Sequence, residues 1–159
     1  MKDKLFNQLD DNKKIDELTY ENLKYVTDII KEEVEEEPEI NNVIIFDDMT
    51  AYLRNNQIKH ILKELVFNRR HYHTSIYFLV QTYKSLEPST RKLFTNLFIF
   101  KVSKNEMETI INEIIDVHKD NINEIIKIVF DEKYNFLFIN SDSNKLFKNW
   151  DEIIFSDNI

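Results

Sequence analysis

The chain has no glycine in 159 residues, where a share of about 7% is usual. Glycine-rich phosphate loops need backbone torsions and a close backbone approach that a β-carbon obstructs. No loop of that kind can be built from these residues. Asn, Ile, Lys, Phe and Tyr are abundant instead. All are encoded by A/T-rich codons, so the bias reads as that of an A+T-rich genome.

Other compositional facts narrow the classes further. With 42% hydrophobic residues, the chain is long enough to bury a real core, and one compact unit without internal repeats is the expectation. The net charge of -8 argues against a generally cationic nucleic-acid coat, so any DNA contact has to come from a local patch. Without cysteine there is neither a disulfide framework nor a thiolate zinc site, which fits a reducing setting. Met1 to Asp11 lacks the apolar core of a signal peptide, and no apolar run approaches the length of a membrane span. A soluble protein with no membrane partner is expected.

Periodicity places the elements. Thr19 to Glu36 reads as an amphipathic helix on Leu23, Val26, Ile29, Ile30 and Val34. Its acidic end opposes the helix macrodipole, so Glu32 to Glu39 reads as a frayed linker before the rest of the chain. Val43 to Phe46 is a short, continuous, β-branched run that suits a strand buried on both faces, and it stops at Asp47-Asp48. A second helix over Gln57 to Phe67 leads through the basic turn Asn68-Arg69-Arg70-His71 to a second strand, Ser75 to Val80, tipped by Gln81-Thr82. A short helix from Pro88 to Leu93, a strand from Leu97 to Phe100, helices over Met107 to Ile115 and Ile122 to Val129, and a strand from Phe136 to Ile139 complete the order. Such alternation predicts an α/β fold, a mostly parallel sheet flanked by helices. Residues 1–40 are assigned to an N-terminal helix and acidic linker, and 41–159 to the main domain. Phe78, Phe94, Phe98, Phe100, Phe136 and Phe138 fall at strand positions and are expected in the core.

Ligands of open parallel sheets collect at the carboxyl ends of the strands, which puts Asp47, Asp48, Gln81 and Thr82 on one edge. Adjacent carboxylates leaving a buried strand can divide labour, one holding Mg²⁺ through water and the other accepting a proton from an attacking water. An Asp-Asp after a strand also serves as an ordinary turn or helix cap. His71 and His73, two apart on a basic loop, lack a third ligand at metal spacing and read as surface histidines. A metal-dependent nuclease using Asp47 and Asp48 would need further acids on the same edge.

The ordered set is more specific than any member. Val43-Ile44-Ile45-Phe46-Asp47-Asp48, Phe67-Asn68-Arg69-Arg70-His71-Tyr72, Ser75 to Thr82, Pro88-Ser89-Thr90-Arg91, Leu97 to Phe100, and the closing Asn135 to Asn140 and Leu146 to Asp151 resemble the second half of the FtsK/HerA superfamily. The likeness is greatest to the DNA-packaging ATPases of poxviruses and other nucleocytoplasmic large DNA viruses, and it runs from Asn41 to the end. It implies a partial additional-strand P-loop NTPase lacking the P-loop strand, in which Asp47 is the Walker B acid holding Mg²⁺ through water. Asp48 would be the general base, Gln81 the sensor at the γ-phosphate, and Arg91 the arginine finger reaching a neighbouring subunit, with Arg69 and Arg70 the runners-up or a DNA-contacting pair. The implied cofactors are ATP and Mg²⁺. The implied partners are double-stranded DNA, a homo-oligomeric ring and a viral capsid or procapsid, in the host cytoplasm or the virion. The family's Gly-rich loop ending in Lys and Ser or Thr has no counterpart in Met1 to Ile40. The missing half could be a separate polypeptide acting as a further partner, an interrupted or truncated gene, or an ancestral feature no longer needed; the alternative to the ATPase is a degenerate, non-catalytic homologue that keeps the fold as a binding or oligomerisation module.

Overall fold

A computed structural model describes residues 9–115 and 119–154. The chain forms two compact units, Met1–Leu86 and Glu87–Ile159, where length alone suggested one.

In the first unit, Thr19 opens helix α1 (Tyr20–Glu36), its hydroxyl accepting the Asn22 amide at 3.1 Å. Leu23, Thr27 and Ile30 form the buried stripe of α1. The acidic segment expected to fray stays helical to Glu36, and Lys31 reaches Glu64 on the next helix at 3.4 Å. Strand β1 (Asn42–Asp47) leads through a 3-10 turn, Met49–Arg54, to helix α2 (Asn56–Asn68), capped by the Asn55 side chain on the Gln57 amide. The stripe Ile58, Ile61, Leu62, Leu65 and Val66 is buried as its spacing dictates. Strand β2 (Thr74–Leu79) then pairs with β1 in parallel, with Phe46 opposite Phe78 and Asp47 opposite Leu79. The Phe46 and Phe78 rings stack at 5.0 Å. Val43 to Phe46 and Ile76 to Leu79 are apolar on both alternations, yet Val43, Ile45, Tyr77 and Leu79 on the opposite face are exposed. The expected burial on both faces holds for one face only.

In the second unit, helix α3 (Pro88–Arg91) has proline in its first turn. Strand β3 (Asn96–Ile99) and helices α4 (Lys104–Ile114) and α5 (Lys119–Val129) follow. Ser103 caps α4 through the Glu106 amide. Strands β4 (Leu137–Asn140), β5 (Lys145–Lys148) and β6 (Asp151–Glu152) complete the unit. Here the expectation of one mostly parallel sheet fails: β3-β4-β5-β6 is a separate, four-stranded, antiparallel sheet. Two helices lie between β3 and β4, so the chain passes out and back and re-enters from the opposite end. Short turns then join β4 to β5 and β5 to β6, which only antiparallel neighbours allow. Asn144 and Asn149 supply the positive φ values of those turns, 53° and 54°, in place of glycine.

Alternation sorts this sheet cleanly. Leu97, Ile99, Leu137, Ile139 and Leu146 are buried together with Met107, Ile111, Ile125 and Val129 of the helices. The other face carries Phe98, Phe100, Phe136 and Phe138, four of the six aromatics assigned by sequence to the core, and there Phe98 and Phe100 are exposed, as is Trp150. Phe98, Phe138 and Phe147 stack across the strands at 4.8 and 5.2 Å, with Trp150 edge-on to Phe98 and Phe136. Among the described residues no helix is long and apolar enough to cross a membrane.

Candidate functional site

Parallel pairing in register delivers the ends of β1 and β2 to the same edge of the first unit. Asp47 is the last residue of β1 and is exposed. Asp48 turns the chain out of the strand in a left-handed conformation, φ 50° and ψ 32°, a state in which a short polar side chain costs less than most others. Its amide donates to the Leu79 carbonyl at 3.1 Å, so the turn is anchored to β2.

The carboxylate of Asp48 does not cap the 3-10 turn that follows. Instead, Asp48 Oδ2 accepts a hydrogen bond from Gln81 Nε2 at 3.0 Å. An acid and an amide 33 residues apart thus meet at the tip of the sheet, both exposed to solvent. The bond occupies one carboxylate oxygen and leaves the other open to accept a proton or a water.

Two adjacent, exposed carboxylates suit Mg²⁺, which keeps several waters and is bound through one or two carboxylates plus substrate phosphates. Among the described residues there is no group of three or more His, Cys, Asp or Glu able to hold a metal. The further acids that a metal-dependent nuclease requires are thus not assembled there. His71 and His73 are exposed at the start of β2, the end of the sheet opposite Asp48.

Comparison with known proteins now bears on this arrangement. The family model described as "Poxvirus A32 protein" matches residues 5–157. The chain belongs to that family. The match begins well before Asn41, so α1 is included in the resemblance. Among solved structures, the chain is similar to the genome packaging NTPase B204 from Sulfolobus turreted icosahedral virus 2, a structure in complex with ATP-gammaS. The TM-score is 0.54 at 11% identity, over 86% of this chain and 73% of that one. The likeness bears on the fold, an α/β arrangement similar to a P-loop NTPase. A search of curated proteins found no match. Family and fold together make this chain a relative of viral genome-packaging P-loop ATPases.

The arginines divide by environment. Arg91 lies in the second unit, is 6% exposed, and donates from Nη2 to Glu113 Oε1 of α4 at 2.9 Å. Arg69 at the end of α2 is half-buried and donates to the Val66 carbonyl, whereas Arg70 is exposed. The structure therefore joins Asp48 to Gln81 and engages Arg91 with Glu113.

Proposed function

We propose that this chain carries the acid-and-sensor portion of a viral genome-packaging ATPase, whose phosphate-binding loop is not among these 159 residues. The observation that carries the reading is the Asp48–Gln81 hydrogen bond at the carboxyl ends of two parallel strands. Asp47 holds the water shell of Mg²⁺, Asp48 takes the proton of the attacking water, and Gln81 fixes Asp48 and senses the γ-phosphate. ATP hydrolysis at this site drives double-stranded DNA translocation by a homo-oligomeric ring at the capsid or procapsid, in the host cytoplasm or the virion.

The resemblance assigns Arg91 to the finger that stabilises charge on a neighbour's transferring phosphate. To act so, it must leave Glu113. Arg70, already exposed, is the second candidate. The absence of glycine favours the other reading, a degenerate binding or oligomerisation module with no turnover, because without loop amides the phosphates lose most of their ligands.

Phosphate release by the chain alone and by its mixture with a P-loop half from a poxvirus A32 protein separates the two. The chain alone is expected to be inactive and the mixture active, with Asp48→Asn lowering the mixture's rate by roughly 10²–10⁴-fold while calorimetric ATP binding is kept. A mixture that binds ATP but never turns it over leaves only the binding module.

A further inference from the structure

The face of the antiparallel sheet opposite Leu97, Leu137 and Leu146 carries one contiguous aromatic patch. Phe98, Phe138 and Phe147 are register partners on β3, β4 and β5, and their rings stack in turn across the strands. Phe100 meets Phe136 at 5.9 Å, and Trp150 lies 5.8, 5.4 and 5.9 Å from Phe98, Phe136 and Phe138. These contacts do not cover the patch: Phe98 is 49% exposed, Phe100 61% and Trp150 70%. An aromatic side chain carries about 150–250 Å², so these three leave about 400 Å² of ring in water. A continuous apolar patch of that order is commonly a contact surface.

The charges around the patch are already matched. Lys145 pairs with Glu152 at 2.9 Å and Lys148 with Asp131 at 2.6 Å. The other cations of these strands and turns, Lys101 and Lys133, are outnumbered by Glu132, Asp142 and Asp151. A nucleic-acid strand requires unmatched cations beside its stacking aromatics, so the rim is the wrong one for it. A polar, charge-balanced rim around an aromatic centre is instead the composition of a protein interface.

We propose that this aromatic face is a self-association surface, through which two copies of the chain pair face to face about a two-fold axis. In such a contact the same patch serves both partners, so it must be complementary to itself. Clustered rings meet that condition, because aromatics pair with aromatics in stacked and edge-to-face geometries. The ion pairs of the rim, closed within each copy, add no like-charge clash. Area points the same way. Two patches bring together about 800 Å² of exposed ring, and the half-buried Phe136, Phe138 and Phe147 with the rim raise the total to the roughly 1,000 Å² at which specific interfaces begin. The net charge of -8 on each copy opposes pairing at long range, but screening acts over about 8 Å at physiological ionic strength. This surface does not rest on the ATPase reading. A ring is built from heterologous contacts and uses a different interface.

Sedimentation equilibrium of the full chain from about 1 μM to about 1 mM, the range of weak association, should show monomer and dimer in exchange. Because salt screens the repulsion between like-charged copies and leaves the apolar contact in place, pairing should tighten as ionic strength rises. Phe100→Glu sets a carboxylate on the patch twice per pair, and Trp150→Ala removes its largest ring. Each should weaken pairing by about 10-fold or more. Both side chains are mostly exposed in the single copy, so the variants should fold, as circular dichroism checks; the salt dependence of the unmodified chain answers the question if one does not. A monomer across the whole range, pairing undiminished by both variants, or pairing that weakens with salt overturns the proposal. Quenching of Trp150, the one tryptophan, by single-stranded oligothymidylate in the monomer range would assign the face to nucleic-acid bases and overturn it as well. A larger assembly that persists in both variants while no pair forms keeps the ring and refutes this surface. A pair at this face without any larger assembly does the reverse.

Discussion

The two roles open to Arg91 make opposite demands on stability, so its substitution decides between them. Its guanidinium is almost wholly buried, with a side-chain exposure of 7% against 26% for Glu113. Removing one partner of such a pair costs more when the group left behind is the deeper one. Glu113→Ala leaves a buried guanidinium without its carboxylate and should cost about 3–5 kcal/mol. Arg91→Ala leaves a carboxylate that still reaches water. It forfeits a charge-assisted bond of about 1.5–3 kcal/mol and the packing of the alkyl stem, an expected loss of about 2–4 kcal/mol. Glu113→Gln keeps an acceptor and should fall below both. The chain's single tryptophan, Trp150, packs on Phe98 and Phe136 in the same unit, so its fluorescence during urea unfolding reports this unit. Natural domains carry only about 5–15 kcal/mol in total; either alanine variant should visibly lower the midpoint, with an unchanged slope. If both variants shift stability by less than about 0.5 kcal/mol, the range of ordinary surface changes, the pair is not structural. Arg91 would then be released for a role in a neighbouring subunit.

Two further outcomes follow from the same geometry. Asp131 accepts from Lys148 at 2.6 Å and from Asn135 at 2.9 Å, and the Lys148 ammonium holds its carboxyl below the usual carboxylate range. A depressed folded value means that the unfolded chain binds the proton more readily. The contribution is therefore complete above about pH 4, the unfolded value, and is lost as pH falls through the folded one. Urea midpoints of the native chain and Lys148→Met, compared from pH 7 to pH 3, should differ at neutral pH and converge in acid; a constant gap contradicts the assignment. His73, exposed at φ 44°, holds a conformation that costs a non-glycine residue about 1–2 kcal/mol. Glycine loses about 0.5–1 kcal/mol in entropy, so His73→Gly should raise stability by about 0.5–1 kcal/mol in the same assay.

The legible parts of the fold were those fixed by local chemistry. The helices read from apolar spacing at Thr19 to Glu36 and Gln57 to Phe67 formed there, and the ends of β1 and β2 met where the Asp-Asp and Gln signals placed them. What the sequence did not show was direction. Leu97 to Phe100 and Phe136 to Ile139 are as apolar as the parallel strands, and although periodicity showed two helices between them, it carries no signal of the direction in which the chain re-enters a sheet. The aromatics were misplaced for a related reason. Phe98 and Phe138 shield one another by stacking across strands, and residue type alone cannot tell such a surface ladder from a core.

The absence of glycine reaches further than the missing loop. Five described residues hold positive φ without it: Asp48, His73, Tyr134, Asn144 and Asn149. Asn and Asp tolerate that region because a short polar side chain can bond locally; the Asn149 Oδ1 instead accepts the amide of Phe136, 13 residues away, at 3.1 Å. Backbone turns can therefore be made without glycine, at a modest local cost. A phosphate cradle cannot, because several consecutive amides must approach the anion with no β-carbon between them. Asp48 marks the boundary between the two cases. Its left-handed turn is possible with a side chain, and that side chain is the acid held by Gln81. A glycine there would ease the turn and remove the carboxylate.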